Sequence, residues 1–326
     1  MRYSRLGSSG LVVSRLGLGM MSYGDTSRRP WHLDADQARP LVRTAVEAGV
    51  TLFDTADMYD LGESERVTGR LLAEFFADRD DYVLATKAYF PMGDGPNAGG
   101  LSRKHLLSAI DGSLKRLGVD HVDLFQIHRF DPAVPIEETL DALNDIVRSG
   151  KARYLGASSM FAWQFARMQY TARHTGLAQF TSMQNHYNLL YREEEREMIP
   201  LCKAEGVGVL PYSPLARGML TGSRSRAERG GTSRGASDPL ADATYTDDDF
   251  DVVDAVNAVA ESRGVPPAQV ALAWVMNQDG ITAPLVGATK PAHIADAIAA
   301  VDLELDVAEC EQLEAQYRPH PVLGHD

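Results

Sequence analysis

Four residues in the first half of the chain, Asp54, Tyr59, Lys87 and His128, form a set able to move a proton onto an oxygen. A free tyrosine, with a pKa of about 10, exchanges its proton reluctantly at neutral pH. A neighbouring ammonium stabilises phenolate and lowers that value, and a buried carboxylate keeps the lysine charged and oriented. The histidine can hydrogen-bond a carbonyl oxygen and fix its position. Such a general-acid set needs neither metal nor nucleophile. It does need an outside source of reducing equivalents, which points to a nicotinamide cofactor. A rival use of Lys87, as the Schiff-base amine of a lyase or aldolase, is weakened by Asp54, because an ion-paired lysine stays protonated and is a poor nucleophile.

Each of these residues, Tyr59 apart, directly follows a short apolar run. Strand-like runs lie at 14–18, 50–53, 82–86, 122–127, 152–157, 181–184, 207–211 and 282–286. Seven of these strands end in Asp54, Lys87, His128, the pair Ser158 and Ser159, Gln184, Tyr212 and Gly287. Between the runs, apolar side chains recur at helical spacing, as in Ala38, Leu41, Val42, Ala45 and Val46, or Leu106, Leu107, Ile110, Leu114 and Leu117. Ser102 reads as an N-cap, and Gly49, Gly118 and Gly150 as helix stops. Eight such units predict a single α/β domain over 1–326, a (β/α)8 barrel, in which strand C-terminal ends carry the chemistry. Residues 1–13 read as a β-hairpin cap, 216–246 as a long polar loop after strand seven, and 303–317 as an extra C-terminal helix.

With 32 basic and 45 acidic residues, a net charge of −13 argues against nucleic acid as the main partner. No apolar run reaches the roughly 18 residues of a membrane span, and the start lacks a secretory core. Cys202 and Cys310 lack metal or redox spacing, and the histidines show no zinc motif, so no metal site is expected. A cytoplasmic protein is the expectation. Gly17-Leu18-Gly19 begins like a Rossmann fingerprint, but Ser22 replaces the third glycine and the motif fails. Glu193 to Glu197 reads as a solvated helix start.

Asp54-Thr-Ala-Asp-Met-Tyr59, Ala-Thr-Lys87 and Asp-Leu-Phe-Gln-Ile-His128 resemble the tetrad signatures of the aldo-keto reductase superfamily, over residues 1 to about 320. Met183-Gln-Asn-His-Tyr-Asn188 and Tyr212-Ser-Pro-Leu-Ala216 are similar to the branch related to aryl-alcohol dehydrogenases and potassium-channel β subunits. The resemblance implies that Tyr59 protonates a carbonyl as hydride arrives, tuned by Lys87 and Asp54, with His128 orienting the substrate. It further implies that Ser158, Ser159 and Gln184 hold the nicotinamide carboxamide, with Tyr212 stacked on the ring. Gly19, Met20, Met21 and Asp54 would approach the nicotinamide ribose. Ser213, Pro214, Leu215, Arg217 and Gly218 would line the diphosphate, with Arg234 as a clasp. Gly287, Thr289, Lys290, His293 and Asp296 would surround the adenosine end.

Ser159 stands where many relatives have Asn, His293 where Arg or Gln is common, and Ala297 where Asn usually meets adenine. Lys290 and Thr289 favour NADP over NAD. The expected substrate is a small carbonyl compound, an aromatic or aliphatic aldehyde or ketone. Met58, Tyr89, Phe90, Arg129 and Trp163 would line its pocket, and Arg129 would instead suit an anionic one. A homo-oligomer is compatible with this reading. The competing role within the family is a cofactor-binding regulatory subunit with slow residual chemistry.

Overall fold

The structure, a computed structural model, describes residues 1–224 and 244–325. Eight parallel strands form its centre: β3 (Gly17–Gly19), β4 (Leu52–Asp54), β5 (Val83–Ala88), β6 (Val122–Ile127), β7 (Ala152–Ser158), β8 (Phe180–Gln184), β9 (Gly208–Val209) and β10 (Leu285–Gly287). They pair in chain order, with β10 returning to β3. Parallel bridges Val209–Ile281 and Tyr212–Leu285 join β9 to the last strand, and the Leu285 amide donates to the Pro211 carbonyl at 2.8 Å. The sheet thus curls into a barrel.

Strand alternation decides what the barrel holds. Leu52 and Asp54, Ala85 and Lys87, and Leu124, Gln126 and His128 lie two residues apart and share the inward face. Their N-terminal members join an apolar plug with Leu210, Ala283 and Leu285. Leu6 and Val13, from the hairpin β1 (Tyr3–Arg5) and β2 (Val12–Ser14), complete that plug and stopper the N-terminal mouth. Phe53, Leu84, Phe125 and Ile127 point the other way, into the core beneath the helices. The polar residues are thereby concentrated at one end, above an apolar floor.

The covering helices are α1 (Ala35–Glu47), α2 (Glu63–Phe75), α3 (Arg103–Leu117), α4 (Ile136–Arg148), α5 (Ala162–Thr175), α6 (Met198–Glu205), α7 (Phe250–Arg263), α8 (Pro267–Asn277) and α9 (Pro291–Ala300). Ser102 caps α3 by accepting from the His105 amide at 3.3 Å, and Gly118 ends it at φ 70°. No helix among the described residues is long and apolar enough to cross a membrane.

Four expectations shift. Ser14 belongs to the hairpin, and the first barrel strand starts at Gly17. Runs 207–211 and 282–286 are replaced by the shorter β9 and β10, which are joined only through the bridges Val209–Ile281 and Tyr212–Leu285. The C-terminal helix, α10, spans only Val307–Glu314, since Asp306 caps it by accepting from the Glu309 amide at 2.9 Å. Finally, Glu193 and Glu194 are buried rather than solvated, in a short 3-10 turn. They hold the chain's last segment: the Tyr317 hydroxyl and the His320 amide donate to Glu193 at 2.6 and 2.8 Å, and His325 pairs with Glu194 at 3.0 Å. Cys202 is buried, Cys310 partly so, and both are free thiols.

Candidate active site

Lys87 is fully buried at the end of β5, an expensive place for an ammonium unless its hydrogens are matched. Its Nζ donates to Asp54 Oδ2 at 2.6 Å, to the Thr55 carbonyl at 2.7 Å and to the Tyr59 hydroxyl at 3.3 Å. Burial alone would lower the Lys87 pKa, but the Asp54 carboxylate and the Tyr59 oxygen together hold it above its ordinary value. Asp54 Oδ1 accepts from the side-chain amides of Gln126 and Gln184, both at 2.9 Å. A carboxylate so saturated with donors cannot turn away from the lysine.

Space for this network comes from Gly156 on β7. A Cβ there would stand 2.8 Å from Gln126 Cγ and 2.5 Å from Ser182 Oγ. Tyr59 is projected by a tight turn in which Asp60 and Leu61 take φ of 53° and 51°. Such left-handed residues cost about 1–2 kcal/mol each. The Asp60 carboxylate offsets this by accepting from the Asp25 amide at 2.5 Å and pairing with Arg28 at 3.6 Å. Asp57, between Asp54 and Tyr59, is buried with neither carboxyl oxygen hydrogen-bonded. Burial and the charge of Glu65 push its pKa up to about 8, so it is a neutral acid at neutral pH.

His128 lies at the end of β6, its ring 5.8 Å from that of Tyr59 at an interplanar angle of 82°. Burial, reinforced by Lys87 and Arg129, holds its pKa well below the usual histidine range. The imidazole is therefore neutral and can donate one hydrogen bond. Phe90 packs against it at 4.9 Å, Tyr89 packs on Phe90, and the Arg129 guanidinium lies over the Phe90 ring at 5.4 Å. Trp163 sits further out, largely exposed, against Phe130 at 6.2 Å. An aromatic wall thus leads to the Tyr59–His128 pair.

The other rim is built by β7, β8 and the chain after β9. The Ser158 hydroxyl donates to the Gln184 carbonyl at 3.0 Å, and that of Ser159, at φ 40°, to the Tyr212 hydroxyl at 3.1 Å. Tyr212 stacks on His186 at 5.3 Å and 11°. Beyond it Ser213, Ala216, Arg217 and Gly218 all take positive φ, at 51°, 48°, 54° and 96°. Pro214 is buried, and Leu215 precedes a 3-10 turn over Ala216–Thr221. Gly19 and Gly287 are register partners on β3 and β10. A Cβ on Gly287 would meet only Ser22 Oγ, at 3.7 Å, and the Gly19 carbonyl, at 4.0 Å, so this strand edge is open to a flat ligand.

A sequence profile of the Aldo/keto reductase family matches residues 15–318. The chain belongs to that family. It is 42% identical to a versiconal hemiacetal acetate reductase of Aspergillus parasiticus over 99% of this chain and 98% of that one. It is also 42% identical to an aldo-keto reductase of Fusarium vanettenii (99% and 93% covered) and 41% to a putative aryl-alcohol dehydrogenase of Schizosaccharomyces pombe (99% and 97%). This aldo/keto reductase is an oxidoreductase, and its family implies a nicotinamide cofactor and small carbonyl substrates.

The remaining expected cofactor residues of the reductase fall unevenly. Met20 is packed into the core with its amide on the Asp54 carbonyl at 2.8 Å, whereas Met21 is partly exposed. Lys290 is exposed just before α9 and Thr289 is half-buried, its amide donating to His293 Nδ1 at 3.2 Å. Asp296 accepts from Gln269 at 2.9 Å. Arg234 lies outside the described residues. Gln126 was missed as a site residue, although its position two before His128 on one strand puts it on the same inward face. Asp57 was passed over too, inside the motif that contained it. Among the described residues no cluster could hold a metal ion.

Proposed function

We propose that this protein is an NADPH-dependent reductase of aldehydes and ketones, with Tyr59 as the general acid. The observation that carries this is the Tyr59 hydroxyl 3.3 Å from a buried lysine that is itself 2.6 Å from Asp54. The ammonium stabilises negative charge on the phenolic oxygen as its proton leaves, which lowers the cost of giving that proton to a carbonyl oxygen. Neutral His128 donates a hydrogen bond to the same oxygen and competes for no proton. Bound NADPH supplies the hydride. Gln126 and Gln184 keep Asp54 turned to Lys87, and the aromatic wall excludes water from the reacting carbonyl.

The residues present fit a flat dinucleotide: the open Gly19–Gly287 edge lies beside Asp54, and the positive φ of Ser213, Ala216, Arg217 and Gly218 bends the chain after β9 into a tight turn. NADPH rather than NADH is favoured because Lys290 and Thr289 stand at the start of α9, while Asp296 is turned onto Gln269. Phe90, Tyr89 and Phe130 suit aromatic or medium aliphatic carbonyl compounds, and one relative is named a reductase of a hemiacetal acetate. The Lys87–Asp54 pair keeps the amine protonated, against a Schiff-base role. Site residues act within a single domain spanning the chain, in the cytoplasm.

The test is a panel of aldehydes, ketones and sugars assayed by NADPH oxidation, with borohydride added in parallel. Turnover of aromatic aldehydes without covalent trapping on Lys87 is expected. Trapped substrate on Lys87, or binding of NADPH with no turnover of any carbonyl, would overturn the reading.

A further inference from the structure

Glu65 is a fully buried carboxylate in the first turn of α2, just beyond the turn that projects Tyr59. Such a charge is unfavourable in the interior unless both oxygens are matched. Here they are: Oε1 accepts from the Thr86 hydroxyl at 2.6 Å, and Oε2 from Arg116 Nε at 2.5 Å. Thr86 precedes Lys87 on β5 and, alternating with it, faces the helices. On that face Leu84, Phe53 and Phe125 are apolar and join the core. The residue before Lys87 is instead held by a charged brace from α2 and α3.

A second tie runs beside it. The Ser64 hydroxyl donates to the Met20 carbonyl at 2.9 Å, which leaves it to accept from the Thr55 hydroxyl, also at 2.9 Å. Thr55 follows Asp54, and its carbonyl accepts from Lys87 Nζ. Consecutive residues of α2 thus grip the residue after Asp54 and the residue before Lys87. Arg116 closes the brace from α3, reaching Glu65 across Gly62, where the Tyr59 turn ends. A Cβ at Gly62 would stand 2.5 Å from Arg116 Cδ and 2.7 Å from its Nε, so a side chain there would displace the guanidinium. The turn carrying Tyr59 and the strand carrying Lys87 therefore share one carboxylate.

We propose that Glu65 is a positioning residue: by holding Thr86 and Arg116 at once, it fixes the 3.3 Å separation of Lys87 Nζ from the Tyr59 hydroxyl. Buried behind β5, it acts only through the strand and the turn it joins. The proposal rests on the reading of Tyr59 as the general acid. Stabilisation of a phenolate by an ammonium falls with distance, and small misplacements within a reacting set are costly in rate. Glu65→Met would break the ion pair as well and threaten the fold, so Thr86→Val, which cuts only the tie to the strand, carries the test.

The experiment compares wild type, Thr86→Val, Thr86→Ser and Thr68→Val by thermal melting, NADPH fluorescence titration and single-turnover NADPH oxidation with an aromatic aldehyde. Tyr59→Phe is run alongside. Thr68 is the control, equally buried in α2, but with its hydroxyl donating to the Ser64 carbonyl of the same helix at 2.7 Å. Both valine variants should melt below wild type, since each loses a buried hydrogen bond. Only Thr86→Val should slow hydride transfer, by about 10- to 100-fold, with NADPH affinity and aldehyde KM within about twofold of wild type. Thr86→Ser, which keeps the hydroxyl, should restore the rate. Hydride transfer by Thr86→Val within about twofold of wild type would make the brace merely structural and overturn the proposal. So would equal slowing in Thr68→Val, a parallel loss of NADPH affinity, or no rescue by serine. If Tyr59→Phe transfers hydride as fast as wild type, the general-acid reading itself fails. If it is slow while Thr86→Val is not, only the positioning role fails.

Discussion

Replacing Asp54 with Asn tests the physical core of the site, because one carboxylate there accepts from three buried donors. Its oxygens take Lys87 at 2.6 Å and the Gln126 and Gln184 amides at 2.9 Å each. An asparagine presents one acceptor and one donor, so its NH2 must face either the ammonium or both glutamines. Leaving a buried donor unmatched costs about 1–3 kcal/mol, and breaking a buried ion pair about 3–5 kcal/mol. We expect a net loss of about 3–5 kcal/mol near neutral pH, limited because Lys87 can shed its proton. The sign of the pH dependence should then reverse. In wild type the Lys87 pKa is raised, so its contribution is complete below the unfolded value of about 10.4 and fades as pH climbs through the folded one. Without Asp54 the burial cause is unopposed, the folded pKa falls, and the unfolded chain binds the extra proton. Stability of Asp54→Asn, measured by urea unfolding, should therefore rise between about pH 6 and about pH 9. Turnover should drop by about 10²- to 10⁴-fold, the range of a general-acid contribution. A variant within about 1 kcal/mol of wild type at both pH values would refute the reasoning, since it would mean that Asp54 carries no electrostatic burden.

Other perturbations probe neighbouring parts. Asp57→Asn removes a carboxyl whose pKa is raised to about 8, so wild type loses stability as pH rises from about 4 through that value. The variant should be more stable than wild type by about 2 kcal/mol or more at about pH 8 and nearly equal at about pH 4, by urea unfolding. Gly156→Ala should push Gln126 off Asp54, costing about 1–3 kcal/mol in stability and lowering kcat, read by unfolding and turnover together. The lowered pKa of His128 means the unfolded chain takes a proton there below about pH 6.5 while the native one does not, so it contributes acid lability. His128→Gln should flatten that acid limb of the stability profile while reducing kcat/KM. His320 runs oppositely: its hydrogen bond to Asp249 raises its pKa, so its anchoring of the C-terminal segment is complete below about pH 6.5 and fades as pH rises through the raised value. Protection factors of the His320 and Leu323 amides, corrected for intrinsic exchange, should fall over that window, and in a His320→Gln variant they should not vary with it.

Much of the site was legible because a barrel converts sequence position into spatial position. The residue after an apolar run stands at a strand end, so Asp54, Lys87 and His128 could be placed on one mouth before any coordinates. Gln126 was obscured because it lies inside its run, where an alternation of two rather than a boundary marks it. The buried Glu193 and Glu194 looked solvated for another reason. Their partners, Tyr317, His320 and His325, are more than a hundred residues away in sequence, and no local pattern announces a contact made by a returning tail. Strand ends drifted where bridges, not ladders, close the barrel after β9.

The central claim, that a phenol tuned by a buried ammonium gives up the proton, is tested most directly by single-turnover NADPH oxidation with an aromatic aldehyde in Tyr59→Phe. The phenyl ring keeps the packing against His128 and loses only the hydroxyl that Lys87 touches. The account predicts NADPH affinity within about twofold of wild type and hydride transfer slower by about 10²- to 10⁴-fold. Hydride transfer within about tenfold of wild type, at unchanged cofactor affinity, would contradict it.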